Sequence, residues 1–459
     1  MKGCRSTFAA SAFIVCLQVW ACGSRAAASA IDERPQATPS PAAQPDTCAV
    51  IAATGDAITT IGLNDRIEPA NAPRPTNDGE RLLFRQLYET LIRVDCEGRA
   101  GPGLAAAWRF DADAGRWIVT LREDARFGDG TAVIAADVVA AWSREGSGGE
   151  LRQDVRRSVL AAAAIDDRSV AITLHRQSAD APTALAHPDL AIVKRIAGLP
   201  WPLGTRSARI EPDTQQPALK NAVAMTMTAS GGGPLRIVTA AGDPRDLLDA
   251  GVDLLLTRNP SALEYAGTLA QFERVPLAWQ RTLVLLTPGR ARPSLAPTEE
   301  SRQALAADAV RGDARGAQGP FWWEGLSACA APPSAPRAQS APVPRVVFDA
   351  SDAAARDLAE RLVGLRHYQR AVGLAGDALS QARRLGGDAG YVVSVESRPL
   401  DACRDLQALL DRAPWLDPAT IAPLIDTRLH AIVRRGRSGL WAEWDGGVII
   451  ANATAPRPQ

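Results

Sequence analysis

Few residue groupings in this 459-residue chain have the spacing that chemistry requires. Gly101-Pro102-Gly103-Leu104-Ala105-Ala106 has the G-x-G-x-x-A form of a dinucleotide turn, where backbone N–H groups at a helix mouth hold a pyrophosphate. That use needs a strand before the first glycine. Cys96-Glu97-Gly98-Arg99 stands there instead, and Pro102 sits inside the turn, so no nucleotide reading follows. The sequence has no G-x-x-x-x-G-K-[ST] phosphate loop, no H-E-x-x-H zinc helix and no G-x-S-x-G nucleophile elbow. His175, His187, His367 and His430 are far apart and lack metal-ligand spacing. Carboxylates are plentiful, but none form a spaced pair for acid–base work. No enzyme activity, cofactor or metal is therefore expected.

Cysteine usage points to an oxidising compartment. Cys4, Cys16 and Cys22 fall within the first 22 residues, which leaves Cys48, Cys96, Cys329 and Cys403 in the body. An even set of scattered cysteines without C-x-x-C favours disulfides, and four cysteines allow three connectivities. The N-terminus agrees. Lys2 and Arg5 precede a mostly apolar run over 8–20, the pattern of an export signal and too short for a spanning helix. Val19-Trp20-Ala21-Cys22 resembles a lipobox, and Ala28-Ser29-Ala30 an ordinary cleavage site. The lipoprotein reading, with 1–22 as signal peptide and Cys22 acylated, is preferred because residues 23–47, rich in Ala, Pro, Ser and Gln, form a disordered tether.

The elements behind the tether alternate between strand and helix. Period-2 apolar runs predict strands over 117–121, 169–174, 234–239, 253–256, 282–286, 345–348, 389–395 and 447–450. Helical spacing predicts helices over 78–92, 133–142, 246–250, 299–310, 353–365 and 400–410. Such alternation argues for an α/β chain with mixed β-sheets flanked by helices. Apolar content of 46% and charged content of 22% suit a globular protein of two or three domains. A formal net charge of +0, with cations that are almost all arginine, excludes a basic nucleic-acid binder. Trp322 and Trp323, like Trp415, Trp441 and Trp444, are assigned to cores before pockets.

The segment from residue 86 to 142 resembles the extracellular solute-binding proteins of family 5, the dipeptide, oligopeptide and nickel receptors of ABC importers, as a divergent member. The matching pieces are Leu87-Tyr88-Glu89-Thr90-Leu91, Pro102-Gly103-Leu104-Ala105, Trp108, Leu121-Arg122, Phe127, Asp129-Gly130 and Ala136-Asp137-Val138. Looser matches are Leu248-Asp249-Ala250-Gly251-Val252-Asp253-Leu254, Ser301-Arg302-Gln303-Ala304-Leu305-Ala306 and the stretch 388–410. Departures are also present. Gly204-Thr205-Arg206-Ser207 replaces the family's G-T-G-P-Y turn, and Ile134 replaces a helix-capping threonine, a loss of roughly 1 kcal/mol.

The resemblance implies the two-lobed periplasmic binding protein fold of the class with an extra subdomain. Lobe I would comprise 48–76, 155–258 and 425–455, the subdomain 77–154, and lobe II 259–424. Cys329 and Cys403 then share lobe II, which makes them the expected bridge. Ligand contacts are expected near Ser394, Val395, Glu396 and Arg398, where peptide-binding relatives place an aspartate for the peptide amine and this chain has none. The implied function is capture of a small solute, an oligopeptide by default, in an interlobe cleft. Delivery would be to ABC permease subunits. The protein would be a monomer in the periplasm or on the outer face of the cytoplasmic membrane, soluble or held by a lipid on Cys22. The alternative is a degenerate lipoprotein of the same family with a non-transport sensing or envelope role.

Overall fold

The computed structural model describes residues 48–51, 54–144, 150–153, 155–175, 181–206, 208–213, 219, 222–228, 233–287, 345–350, 352–365, 368–387, 389–396, 409, 413, 415–416 and 421–450. Cys22, the tether, Trp322, Trp323, Cys329, Arg398 and Cys403 lie outside these residues, as do the helices expected over 299–310 and most of 400–410.

The chain opens with β1 (Asp56–Ala57) and β2 (Thr60–Leu63), then α1 (Asp78–Leu87). Asn77 caps α1, its Oδ1 accepting from Glu80 N at 2.7 Å, and Leu82, Leu83 and Leu87 turn inward. α1 stops five residues short of the expected end. The carbonyls that would extend it are taken laterally: Leu87 O accepts from Arg206 N, Glu89 O from Ile192 N, Thr90 O from Leu104 N and Leu91 O from Ala105 N. Tertiary hydrogen bonding overrides the helical apolar pattern here.

The hairpin β3 (Ile92–Val94) and β4 (Ala100–Pro102) leads into β5 (Ala105–Asp111) and β6 (Arg116–Leu121). A strand therefore follows the Gly101–Gly103 turn, where a nucleotide site would need a helix. After α2 (Ala135–Trp142) come β7 (Val159–Ala164) and β8 (Ser169–Leu174). Asp137 reaches back to accept from Ile134 N at 2.9 Å, which replaces half of the missing cap. Strands β5-β6-β8-β7 form one antiparallel sheet over a core that contains Trp117, Val119, Trp142 and Ile172. The boundary expected between 154 and 155 falls inside this unit.

The next stretch supplies β9 (Arg209–Pro212), β10 (Val223–Thr228), β11 (Leu235–Thr239), α3 (Arg245–Asp249), β12 (Leu254–Thr257) and α4 (Pro260–Thr268). The 15-residue β13 (Phe272–Leu286) follows. Beyond it lie β14 (Arg345–Asp349), α5 (Ala353–Gly364), β15 (Arg370–Leu374), α6 (Gly376–Leu385) and β16 (Ala389–Glu396). The 14-residue β17 (Ile421–Arg434) precedes β18 (Arg437–Ser438), β19 (Leu440–Ala442) and β20 (Val448–Ile450). Ten of these strands join in the order β15-β14-β16-β13-β17-β12-β2-β11-β10-β9.

A disulfide joins Cys48 to Cys96, with 5.6 Å between Cα atoms. It ties the start of the described chain to the β3–β4 turn. Asp253, 3% exposed, fixes the edge of β2: it accepts from Thr59 N, Thr59 Oγ1, Thr60 N and Arg437 Nε at 2.8–3.1 Å.

Candidate functional site

The ten-stranded sheet narrows to two strands at one place. β12 pairs with β17 only over His430–Val433, and β16 pairs with β13 only over Arg281–Leu286. Between these contacts β13 and β17 run on alone, and their register slips between Pro276 and Trp279 and again between Trp279 and Arg281. A two-strand ribbon with local irregularity bends more easily than the wider sheets on either side. This two-strand waist is the narrowest part of the sheet.

The strands beside the waist point at it. β2, β11 and β12 are parallel, and the carboxyl end of β12 lies opposite His430. β14, β15 and β16 are parallel in the other half, and the carboxyl end of β16 lies opposite Arg281. Ligands of α/β sheets bind outside the carboxyl ends of the strands. Here two such edges meet at one waist.

Charged side chains line it. Arg258, just past β12, holds Asp78 through Nε at 2.8 Å and Nη2 at 3.3 Å. Across the waist, Arg281 Nη2 donates to Asp352 Oδ2 at 3.0 Å, and Asp352 Oδ1 caps α5 through Ala355 N. Burial works against the Asp78 carboxylate, but Arg258 beside it, with Arg281 and Arg81, holds it well below the usual range. Asp65, after β2, has no such cation partner among the described ion pairs. Burial and the neighbouring Asp78 charge raise its pKa to about 6, against one hydrogen bond from Gly79 N at 2.8 Å. Burial, then Arg428, Arg274 and Arg258, lowers His430 to about 4, so its ring is neutral at pH 7.

Of the residues expected at the ligand, Ser394 lies exposed on β16 near this edge, and the backbone of Glu396 ends the strand opposite Arg281. Val395 points the other way, into a core with Val284, Leu286 and Val347, so its side chain is not exposed to a ligand. Sequence reasoning missed Asp65, Asp78, Arg258, Arg281 and Asp352. Asp65 and Arg258 stand just past apolar strands and Asp78 and Asp352 at helix starts, whereas Arg281, inside β13, has no such signal.

A concavity lies where α1 meets β3 and the β19–β20 turn, lined by Arg81, Arg85, Tyr88, Glu443 and Trp444. Its arginines are committed to the fold: Arg85 bonds Glu443 and Asp445, and Arg93 bonds Glu443 at 3.1 Å. The waist, where two parallel edges converge, is the better candidate.

The signature residues identified in the sequence serve the fold. A Cβ on Gly103 would stand 2.4 Å from Thr90 O, and one on Gly204 2.0 Å from Leu87 O. Thr205 Oγ1 accepts from Glu89 N at 3.2 Å, and Arg122 pairs with Glu89 at 3.2 Å. The Leu87–Leu91 segment is thus clamped by both glycines.

Residues 99–275 match the bacterial extracellular solute-binding proteins, family 5 Middle. Among curated relatives, the periplasmic oligopeptide-binding protein OppA of Escherichia coli is 42% identical over 65 residues, 14% of this chain and 12% of that protein. The Haemophilus influenzae OppA is 36% identical over 86 residues, 18% of this chain and 16% of that protein. The chain thus aligns with less than a fifth of the length of either relative. Structural likeness extends much further. NikA from Brucella suis, solved with Fe(III)-EDTA, superposes with a TM-score of 0.61 at 16% identity, covering 88% of this chain and 100% of NikA. Haemophilus influenzae OppA in complex with RPPGFSPFR gives 0.58 at 13% identity, covering 86% of this chain and 100% of that one. These likenesses show the two-lobed α/β binding-protein fold. The family match thus covers residues 99–275, and over the rest of the described chain the likeness is one of fold.

Proposed function

We propose that this chain is an exported receptor that captures a small solute, by default an oligopeptide, at the β13–β17 waist and delivers it to an ABC permease. The observation that carries this reading is the waist itself: two sets of parallel strands end at a two-strand ribbon, so closure would enclose whatever lies between them. Ser394, Glu396 and Arg398 would contact the ligand from one side, with Arg281 and Asp352 behind them. Asp65 and Arg258 would face it from the other. Binding needs no covalent step; affinity comes from closure, backbone hydrogen bonds and these few side chains. The oligopeptide assignment draws on the curated relatives named for oligopeptides. The periplasmic side of the membrane, with or without an acyl anchor on Cys22, follows from the N-terminal signal.

A thermal-shift panel of di- to pentapeptides, nickel chelates, opines and oligosaccharides tests the proposal. A ligand at 100 times its Kd stabilises the native state by about 2.7 kcal/mol. For a chain of this size that is a rise of about 3 °C. One responding chemical class supports the receptor reading and names the cargo. A cooperative transition that ignores the whole panel contradicts it.

A further inference from the structure

One face of α1 floors the concavity beside β3 and the β19–β20 turn. Arg81, Phe84, Arg85 and Tyr88 recur at the i, i+3, i+4, i+7 spacing of a single helix face, and all four line it. The space is about 510 Å³ with its open mouth, within the range of small-molecule sites. Phe84, Tyr88 and Trp444 bring aromatic rings to it, and Pro73, Pro75 and Pro188 add apolar surface. The charged lining is unbalanced: Arg81, Arg85, Arg93 and Arg206 against Glu89 and Glu443. Glu89 pairs at 3.2 Å with Arg122, which stands outside the lining. Glu443 is shared by Arg85 and Arg93, and the fully buried Asp445 by Arg85 and Arg81. Arg81, Arg85 and Arg93 thus divide two carboxylates among them, which leaves a surplus of positive charge where little water screens it. Arg85 is sealed, with a side chain 9% exposed. Arg93 is 25% exposed, and Arg81 reaches Asp445 only at 3.8 Å. Arg81 and Arg93 are therefore the cations placed to turn toward a ligand.

We propose that this cavity binds a small organic anion, one carboxylate on an aromatic or apolar body. The carboxylate meets Arg81 and Arg93, whose planar guanidiniums match its two oxygens, and the body lies against the rings and prolines. An anion balances the surplus charge. A cation adds to it, a neutral body leaves it unmet, and an inorganic anion leaves the aromatic walls unused. None of the residues that line the cavity is among those assigned to the waist. The site is thus separate from the proposed cargo site and does not depend on that reading.

Isothermal titration of the full chain with phenylacetate, benzylamine and benzyl alcohol tests the charge selection. Each probe is taken to about 20 mM, because ligands of about ten heavy atoms bind in the millimolar range at ordinary efficiency. Phenylacetate is expected to bind at least about tenfold more tightly than the amine or the alcohol, and Arg81→Gln and Arg93→Gln are each expected to remove about that factor. Hydrogen–deuterium exchange of the parent chain with saturating phenylacetate locates the site without any substitution, so a variant that fails to fold does not decide the matter. Added protection is expected over 81–94 and 440–447, with 277–281 and 427–429 unchanged. Three probes that bind alike, or no binding of phenylacetate at about 20 mM, overturn the proposal. Protection at the waist in place of the α1 face overturns it too, and leaves the waist reading standing.

Discussion

Asp65 provides a test in which sign and size both follow from the structure. Its carboxyl is half-buried just past the carboxyl end of β2, and desolvation with the neighbouring Asp78 charge raises its pKa from 3.8 to about 6. A carboxyl with a raised folded pKa holds its proton more tightly folded than unfolded. Between pH 3.8 and about 6 the native state therefore binds more protons, and its stability falls as pH rises through that window. Above it the ionised carboxylate costs the fold about 3 kcal/mol at most, from about 1.4 kcal/mol per tenfold change. Asp65→Asn removes the charge and keeps an oxygen to accept from Gly79 N. The variant should match the parent near pH 4 and exceed it at pH 7.5. At about 2.1 cal/mol/K per residue over about 400 residues, 3 kcal/mol is a rise of about 3–4 °C in Tm. Thermal melts of both proteins from pH 4 to 8 measure the gap. A gap that is constant across this range, or a variant less stable at neutral pH, would refute the electrostatic reasoning.

Other consequences are equally specific. Reducing the Cys48–Cys96 bridge, which closes a loop of sequence separation 48, should cost about 4 kcal/mol on the chain-entropy account, read as a drop in Tm with reductant or in Cys48→Ser. Asp253→Ala strands Arg437 and the Thr59 and Thr60 donors, and should lower the denaturant midpoint by the equivalent of about 3–5 kcal/mol. Gly204→Ala forces a Cβ against Leu87 O and should destabilise by more than about 2 kcal/mol, whereas Gly98→Ala meets no atom within 4 Å and should cost less, chiefly through its left-handed backbone. Comparative denaturation of these two glycine variants checks the clamp on Leu87–Leu91.

Much of the fold was legible because periodicity is local. The strand expected over 169–174 is β8 residue for residue, and the runs at 117–121, 234–239 and 345–348 fall within a residue or so of β6, β11 and β14. The signature segment was legible for the same reason: its glycines and aspartates have fixed geometric jobs. β17 was not foreseen as one long strand, because Arg428, His430 and Pro423 break its apolar alternation, and what holds it is pairing with β13 far away in sequence. α1 was read too long because lateral hydrogen bonds to Ile192, Leu104 and Arg206 cannot be seen in an apolar pattern. The charges at the waist were hidden similarly. Asp78 and Arg258 are 180 residues apart, and Arg281 and Asp352 are 71 apart, so only the folded sheet brings each pair together. Which residues of 389–395 face the core was not legible either, because strand parity is set by pairing with β13, and Val395 turns into the core.

The central claim is closure around a solute at the β13–β17 waist. Hydrogen–deuterium exchange, with and without a saturating amount of the compound that raises Tm in the panel, tests it most directly. The account predicts added protection concentrated in three places: residues 277–281 with 427–429, the ends of β2 and β12 near 64–65 and 258–259, and the segment after β16. Protection confined to the α1–β3 pocket, or none at the waist despite a clear thermal shift, would contradict it.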